Sequence, residues 1–587
     1  MKRFLLVLLI GIIVLLSLVF VVRQHRIPAH SAAPALLPPD TALFLQIPDA
    51  MKNREAWHQT DLYALYRELT VQEFLSKPMG RMSKQGGLVN AWSEAGTLRM
   101  RDVFLATNTF DTLRFVGGFE FRCDQKEANS VIEKWKSRLM AKAPGVQRTT
   151  IQYEKHSLDV ITAGVMVASS FVENRFLVAS NVDDLKTMLD RIDHRIKTPA
   201  LDSDENFRAA IKEMPADYGW MFYLQPKQFA QKLAALRAQN GRVLPPDQQT
   251  ILERVQSFSH AMIFEGKRIR DVEFAAMPRL VDGKLTRDTL SIASADTFLY
   301  IATLLNLQQQ IDSAQQSGAN AATAPVLRQI TEALTAAGIT QDDWKKAFGE
   351  EISALADWPA KLRLPTAVAT LAVRDSARAR KIIRALADAS GWQSAVVDNV
   401  QYFSAPPGGS GLAISPTVAV AERMVVFGID PASVRRGATQ QPSGSLLTTS
   451  TSFKVAAGAV PEPQQTFVYL DLATLYSRLD ATLRPILQMT AAFMPGFAER
   501  VDATKLPPVE VVTRHLSPVV AAQSYVGGGY RSESVGSITI SQTIGVAAAA
   551  WIGTIALKNE TGTILQGLAP SSSATPSRPS LSPSPSP

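Results

Sequence analysis

Residues 206–224, NFRAAIKEMPADYGWMFYL, can be laid over residues 452–470, SFKVAAGAVPEPQQTFVYL, without a gap at an offset of 246. This self-match limits what the chain can fold into more than any other feature. Phe207 falls on Phe453, Arg208 on Lys454, Ala210 on Ala456, Pro215 on Pro461, Tyr223 on Tyr469 and Leu224 on Leu470. The following segment keeps the match, with Phe229, Lys232 and Leu233 against Leu475, Arg478 and Leu479. Further blocks recur in the same order: Asp40-Thr41 with Leu43 to Leu45 resembles Asp296-Thr297 with Leu299 to Ile301. Phe119–Arg122 resembles Leu371–Arg374, and Arg175–Val178 resembles Arg423–Val426. Across these blocks the offset drifts between 256 and 246, as it does when loops differ by a few residues. That period is far longer than the ~20–50 residues of solenoid repeats, so it reads as a duplicated domain.

The expected fold class is therefore α+β, with two tandem copies of one unit at about 35–285 and 286–535, each with a mostly antiparallel sheet. Strands and helices mix without a regular βαβ rhythm. In the first unit a strand at Ala42–Ile47 leads to Asp49 as a helix N-cap, and Thr70 with Glu73 forms a capping box. A strand near Phe115–Arg122 precedes a helix whose apolar face is Ala128, Val131, Ile132, Trp135 and Leu139. The second unit repeats that face with Ala379, Ile382, Ile383 and Leu386. Strands follow near Val160–Ser169 and Arg175–Ala179, then the element Trp220–Leu224 and a helix at 226–238. His260–Glu265 and Arg268–Ala276 make a hairpin around Gly266-Lys267.

Both ends have a different composition. Phe4–Val22 is nineteen residues without a charge, about the ~20 a helix needs to cross a bilayer. Arg23 and Arg26 follow it directly, so an uncleaved anchor over 1–26, with a linker at 27–34, fits better than a cleaved signal. Lys2 and Arg3 against Arg23 and Arg26 give the positive-inside rule little purchase. With no large part ahead of the anchor, the body is expected outside the cytoplasm. Ile538–Leu557 is a second uncharged stretch, weakened by Ser541, Gln542 and Thr543. It reads as a second membrane helix or as a terminal strand and a buried Ala-rich helix. Residues 558–587 read as a disordered tail rich in Ser and Pro.

The net charge of +8 invites a nucleic-acid reading. Five of those charges flank the two apolar stretches or sit in the tail, which leaves the body near +3. No polyanion signature remains. The single cysteine, Cys123, excludes an internal disulfide framework, and none of the seven histidines forms an H-x-x-x-H pair.

Candidate chemistry is thin. Asp202-Ser203-Asp204-Glu205 lacks the spacing and glycine of a calcium loop and suits helix capping better. Asp183-Asp184, Asp342-Asp343 and Glu350-Glu351 read as solvated carboxylates or acids at helix N-termini. Ser410 in PPGGSG fails the nucleophile-elbow pattern. Gly527-Gly528-Gly529 has no phosphate-loop lysine and reads as a turn. Ser452-Phe453-Lys454 corresponds to Asn206-Phe207-Arg208, so a shared structural role is expected rather than a Ser–Lys pair. Arg374, Arg378, Arg380, Lys381 and Arg384 form a basic, solvated helix face. His58, His156, His194, His260 and His515 are scattered, and Cys123 looks like an inserted loop residue. No catalytic, cofactor-binding or metal-ligating residue is assigned from the sequence.

The opening ALLPPDTALFLQIPDAMKNREAWHQTDLYALYRELTVQEFL, residues 35–75, is similar to a family of uncharacterised bacterial proteins with a domain of unknown function. The resemblance implies an N-terminal membrane segment, an LLP-x-DT start and a long α+β body over about 35–535. It implies no activity and no cofactor. The second unit departs from the motif, with Ser294-Ala295 where the double proline stands.

The expectation for function is a membrane-anchored, non-catalytic binding or scaffold protein of the bacterial envelope. Its partners would be the membrane and an envelope protein or polymeric ligand. The alternatives are an envelope hydrolase with a site assembled from distant residues, with His156, His260 and the 202–205 acids as candidates, or an accessory of a transport or secretion system.

Overall fold

The computed structural model describes residues 32–83, 94, 96–109, 114–141, 145–162, 166–231, 254–305, 332–398, 400–406, 415–439, 446–493 and 502–544. The segment read as an anchor at 1–26, the tail at 558–587, Ser410 and most of 538–557 lie outside these residues. Among the described residues no helix is long and apolar enough to cross a membrane. Contacts divide the chain into Met1–Thr539 and Ile540–Pro587, and all that follows concerns the first of these.

Among the described residues ten strands form in the first half: β1 (Leu43–Asp49), β2 (Arg101–Thr109), β3 (Arg114–Glu120), β4 (Gln147–Tyr153), β5 (His156–Thr162), β6 (Met166–Val172), β7 (Arg175–Ala179), β8 (Trp220–Leu224), β9 (Ser257–Glu265) and β10 (Arg268–Ala276). Ten more form in the second: β11 (Thr297–Leu304), β12 (Phe348–Asp357), β13 (Thr366–Val373), β14 (Gln393–Val397), β15 (Val400–Ser404), β16 (Thr417–Val420), β17 (Met424–Gly428), β18 (Thr466–Leu470), β19 (Val519–Val526) and β20 (Gly529–Gly536). All twenty join one antiparallel sheet. From one edge its order is β4-β5-β6-β7-β3-β2-β1-β8-β9-β10. It continues β20-β19-β18-β11-β12-β13-β17-β16-β15-β14. Each strand of the first half thus has a counterpart in the second, and the order reads the same from either edge.

Registers agree as well as order. Phe44 pairs with Tyr223 and Leu43 with Leu224, and Tyr300 pairs with Tyr469 and Leu299 with Leu470. Phe207 meets the Tyr223 ring edge-on at 4.9 Å, and Phe453 meets Tyr469 in the same way at 5.0 Å. Leu201 N donates to Leu37 O at 2.9 Å, and Leu447 N donates to Ala293 O at 2.9 Å. Gln225 N reaches Ala42 O at 2.9 Å where Asp471 N reaches Phe298 O at 2.7 Å. One block sits differently from its sequence match. Phe121 N donates to Asn174 O and Val373 N to Arg423 O, so Arg423 stands where Asn174 does, not Arg175. A one-residue slip would turn every side chain to the other face. The buried pair Phe176 and Val425 sets the register, and the match of two arginines does not.

Helices cover both faces because strand side chains alternate. On β1, Phe44 enters a core with Phe207, Leu185, Met188 and Leu189. Ile47 enters a second core with Ala128, Val131 and Ile132 of the helix Gln125–Ala141. The second half divides likewise, with Tyr300, Phe453 and Tyr469 in one core and Ile382, Ile383 and Leu371 in another. Leu139, expected on the buried face, is 39% exposed near the end of its helix.

Several local expectations change. Asp49 caps Ala50–His58 through the Met51 and Lys52 amides as expected. Thr70 and Glu73 form no capping box, because the helix Leu69–Ser83 starts one residue before Thr70. Glu68 is extended and interrupts the helical run there, and Thr60 caps the preceding helix, Asp61–Arg67. The span 160–169 holds parts of two strands rather than one, and the edge strands β4 and β14, exposed at nearly every position, carried no clear signal. Glu350-Glu351 lies on β12, and alternation buries Glu351. It is neither solvated nor at a helix terminus: its carboxylate accepts from Thr286 N at 2.7 Å, Thr286 Oγ1 at 2.9 Å and Arg287 N at 2.9 Å. Asp183-Asp184 and Asp342-Asp343 do lie in first turns.

Since Phe207 and Phe453 fill matching positions, Phe207→Ala and Phe453→Ala should each cost about 3–5 kcal/mol in urea unfolding. A cost near zero at either one would show that the matched geometry does not carry matched packing.

Candidate functional site

A charged cluster with arginines at counterpart positions lies where the halves meet. On β10 and β20, Ile269 to Ala276 pair with Gly536 to Gly529. Ser259 pairs with Tyr223 and Phe274, and Val520 pairs with Tyr469 and Val535, so Phe274 and Val535 are counterparts. Two residues back, Val272 and Glu533 are counterparts too, and they face each other across the seam. Arg270 and Arg531 are the flanking counterparts on the same face.

Glu533, 8% exposed, takes both arginines. Arg270 Nη1 donates to Glu533 Oε2 at 2.8 Å, and Arg531 Nη1 donates to Glu533 Oε1. Each guanidinium also crosses to the other half. Arg270 Nη2 donates to Ala459 O at 3.2 Å, just past the helix Thr451–Ala457. Arg531 Nε donates to Glu213 O at 3.1 Å, at the end of the helix Glu205–Lys212. A cation at a helix C-terminus satisfies orphan carbonyls and meets the negative end of the helix dipole. Burial disfavours the Arg270 charge, but Glu265 at 2.6 Å and Glu533 more than offset this and hold its pKa above the ordinary arginine value. The turns that set this register match: Gly266 takes φ +59° and Gly527 φ +57°, and Gly528 adds φ +79° for the tight β19–β20 hairpin.

Other links tie the halves beside this cluster. Thr539 Oγ1 donates to the buried Asp271 carboxylate. Glu68 holds Arg514 at 2.6 Å and His515 at 2.7 Å, and these partners draw its pKa below the carboxylate range, Arg514 most strongly.

The sequence candidates have other roles. Asp204 accepts from Phe207 N at 2.8 Å and caps its helix, as expected of the 202–205 acids. His156 Nε2 lies 3.0 Å from Asp193 Oδ2. Around that pair, Lys155 holds Asp193, Arg195 holds Asp190 and Asp193, and Tyr153 Oη donates to Asp190 at 3.0 Å. The counterpart hairpin positions of Tyr153 and His156 are Val397 and Val400, so this network belongs to the first half alone. His260 Nδ1 lies 3.2 Å from Glu273, and its ring tilts on Trp220. No hydrogen bond joins His156, His260 and the 202–205 acids to one another. His58 stacks on Tyr63, and His194 takes φ +56° in a turn. Ser452 Oγ bonds Ser450 Oγ rather than Lys454. Burial, then Glu127, raises the Cys123 thiol pKa, the wrong direction for a thiolate nucleophile. Of the basic face, Arg374 pairs with Glu350 and Arg378 with Asp375, and Arg380, Lys381 and Arg384 are exposed.

Small cavities lie elsewhere. One of about 20 Å³ is lined by Asp357, Thr366, Ser433 and Arg436, and burial raises the Asp357 pKa. Another of about 40 Å³ lies by Arg114 and Asp184. These two have room for one to a few waters at roughly 10–15 Å³ each, whereas a wide, open depression of about 590 Å³ is lined by Arg54, Thr97, Arg99, Cys123 and Glu127. Among the described residues no cluster of three or more His, Cys, Asp or Glu side chains could hold a metal ion.

Sequence reasoning missed the Arg270–Glu533–Arg531 cluster. The usable signal was the turn glycine: Gly266 leads to Arg270 at the same spacing as Gly527 to Arg531.

The model of one family, described as a protein of unknown function (DUF3352), matches residues 123–498, more than half of the chain. No curated protein matches. Among solved structures, crystal form I of TP0453 is similar at 6% identity and TM-score 0.23, over 43% of this chain and 80% of that one. Crystal form III of TP0453 gives 8% identity and TM-score 0.23 over 43% and 81%. Likeness that low carries no argument.

Removing one partner from a half-buried charge cluster leaves the others unpaired, so Glu533→Ala should cost about 2–3 kcal/mol in urea unfolding. Unchanged stability would show that the cluster does not hold the seam. Lys155, then His156, holds the Asp193 pKa below its ordinary value. A depressed carboxylate pKa contributes stability that is present above about pH 4 and lost as pH falls through the folded-state pKa. Asp193→Asn should therefore flatten the acid limb of the Tm–pH profile, and an unchanged acid limb would remove the pair from that role.

Proposed function

The chain belongs to the DUF3352 family, and we propose that it is a membrane-anchored, non-catalytic binding or scaffold protein of a bacterial envelope. In this reading the body is two copies of one α+β unit, an arrangement that presents two related surfaces to a protein or polymeric ligand. The observation that carries it is the sheet order that reads the same from both edges, with counterpart registers in each half. The charged candidates at the seam support it further, because Arg270, Arg531 and Glu533 are bound to one another and to helix ends. The anchor rests on the uncharged run Phe4–Val22 and the arginines after it.

A second reading, an envelope hydrolase, has one observation in its favour. The Tyr153–Asp190 and His156–Asp193 pairs lie in one half and have valines as counterparts. An acid–base pair confined to one copy is what a specialised site would show.

Quantified crosslinked pull-down of the full chain from native membranes separates the two. One partner recovered at a near-constant ratio is expected from the scaffold. No partner above background, together with turnover by the full chain that His156→Gln abolishes, would overturn it in favour of the hydrolase.

A further inference from the structure

Surface helices ordinarily turn charged side chains to water and apolar ones to the core. The helix Leu472–Phe493 does the reverse over its outer turns. Its charged side is held to the body: Arg478 Nε donates to Trp358 O at 2.9 Å, and Arg484, bound to Asp480, donates to Leu506 O at 3.1 Å and Pro507 O at 2.6 Å. The side away carries Leu479, Leu483, Ile486, Met489 and Phe493, with exposures of 36%, 42%, 48%, 55% and 80%. Their spacings of four, three, three and four residues place them within an arc of about 120° at ~100° per residue. No charged residue occurs from Pro485 to Phe493.

A loop extends this surface. Thr482, inside the same arc, donates to Arg363 O at 3.3 Å. That loop exposes Leu362 and Leu364, at 42% and 70%, alternating with the exposed cations Lys361 and Arg363. Residues 361–365 and 485–493 together contain no acid.

We propose that this surface rests on an anionic lipid bilayer, with the apolar side chains at the acyl boundary and Lys361 and Arg363 at the phosphates. An apolar surface with two cations beside it and no acid in these two segments matches a membrane interface. The tether argues for the same occupant. Only residues 23–31 separate the uncharged N-terminal run from the first described residue, and nine residues reach at most about 30 Å. Delivery to the bilayer rests on the proposed anchor; the composition of the surface does not.

The test places single cysteines in the full chain carrying Cys123→Ser, at Ile486→Cys, Leu364→Cys, Leu9→Cys and, as an exposed control, Val455→Cys. Each is labelled with an environment-sensitive fluorophore and reconstituted in phosphatidylglycerol–phosphatidylethanolamine vesicles with brominated acyl chains. Quenching at 486 and 364 is expected several-fold above that at 455. Lys361→Glu with Arg363→Glu should reduce it in anionic vesicles more than in neutral ones. Quenching at 486 and 364 no greater than at 455 overturns the proposal, as does crosslinking of 486 to a protein in its place. Quenching at 9 without 486 leaves the anchor and removes this surface. Quenching at 486 and 364 without 9 keeps the surface and removes the anchor.

Discussion

The eight-residue pairing of β10 with β20 is the interaction on which the rest of the body depends. Without it the chain would hold two ten-stranded sheets, each with an unpaired inner edge of the kind that invites association with other chains. With it, both inner edges are consumed against each other, and among the described residues only β4 and β14 remain at the ends. The pairing is reinforced by charge as well as by backbone hydrogen bonds. Arg270 and Arg531 each cap a helix that belongs to the other half, so sliding the seam would uncap two helices and separate Glu533 from its cations. The register is therefore fixed by side chains of both halves on one face of the sheet as well as by the backbone ladder.

Much of this was legible in the sequence because aromatic residues keep their positions. Phe207 and Tyr223 align with Phe453 and Tyr469, and those four rings make the same pair of contacts. Asp49, Asp204 and the Gly266 turn were readable because capping and positive-φ geometry depend on neighbours close in sequence. What failed depends on distant neighbours. Arg175 and Arg423 match as letters, yet core-facing Phe176 and Val425 decide the register. Glu351 looks like a surface acid until the segment at Thr286-Arg287 folds over it. The edge strands β4 and β14 bury so little that they leave no alternation to detect.

The candidate site follows the same division. Readings of single motifs, such as the 202–205 cap and the glycine turn, needed only local chemistry. The seam cluster was missed because its three members come from two strands some 260 residues apart and match no known motif. The matched order of the two halves nonetheless offers a means of finding such groups: residues that keep their charge at counterpart turns are candidates for one shared role at the seam.

The facing of Val272 and Glu533 has a consequence for how such a body could arise. Two identical chains meeting along this strand would place the same residue on both sides of the axis. They would bring either two carboxylates together, which repel, or two valines, which would remove the carboxylate that Arg270 and Arg531 share. A single chain escapes that choice. One half carries the acid and the other the apolar residue, and one carboxylate then serves two cations. The seam in its present form is open only to two unlike strands, because identical ones would place like residues opposite each other at its centre.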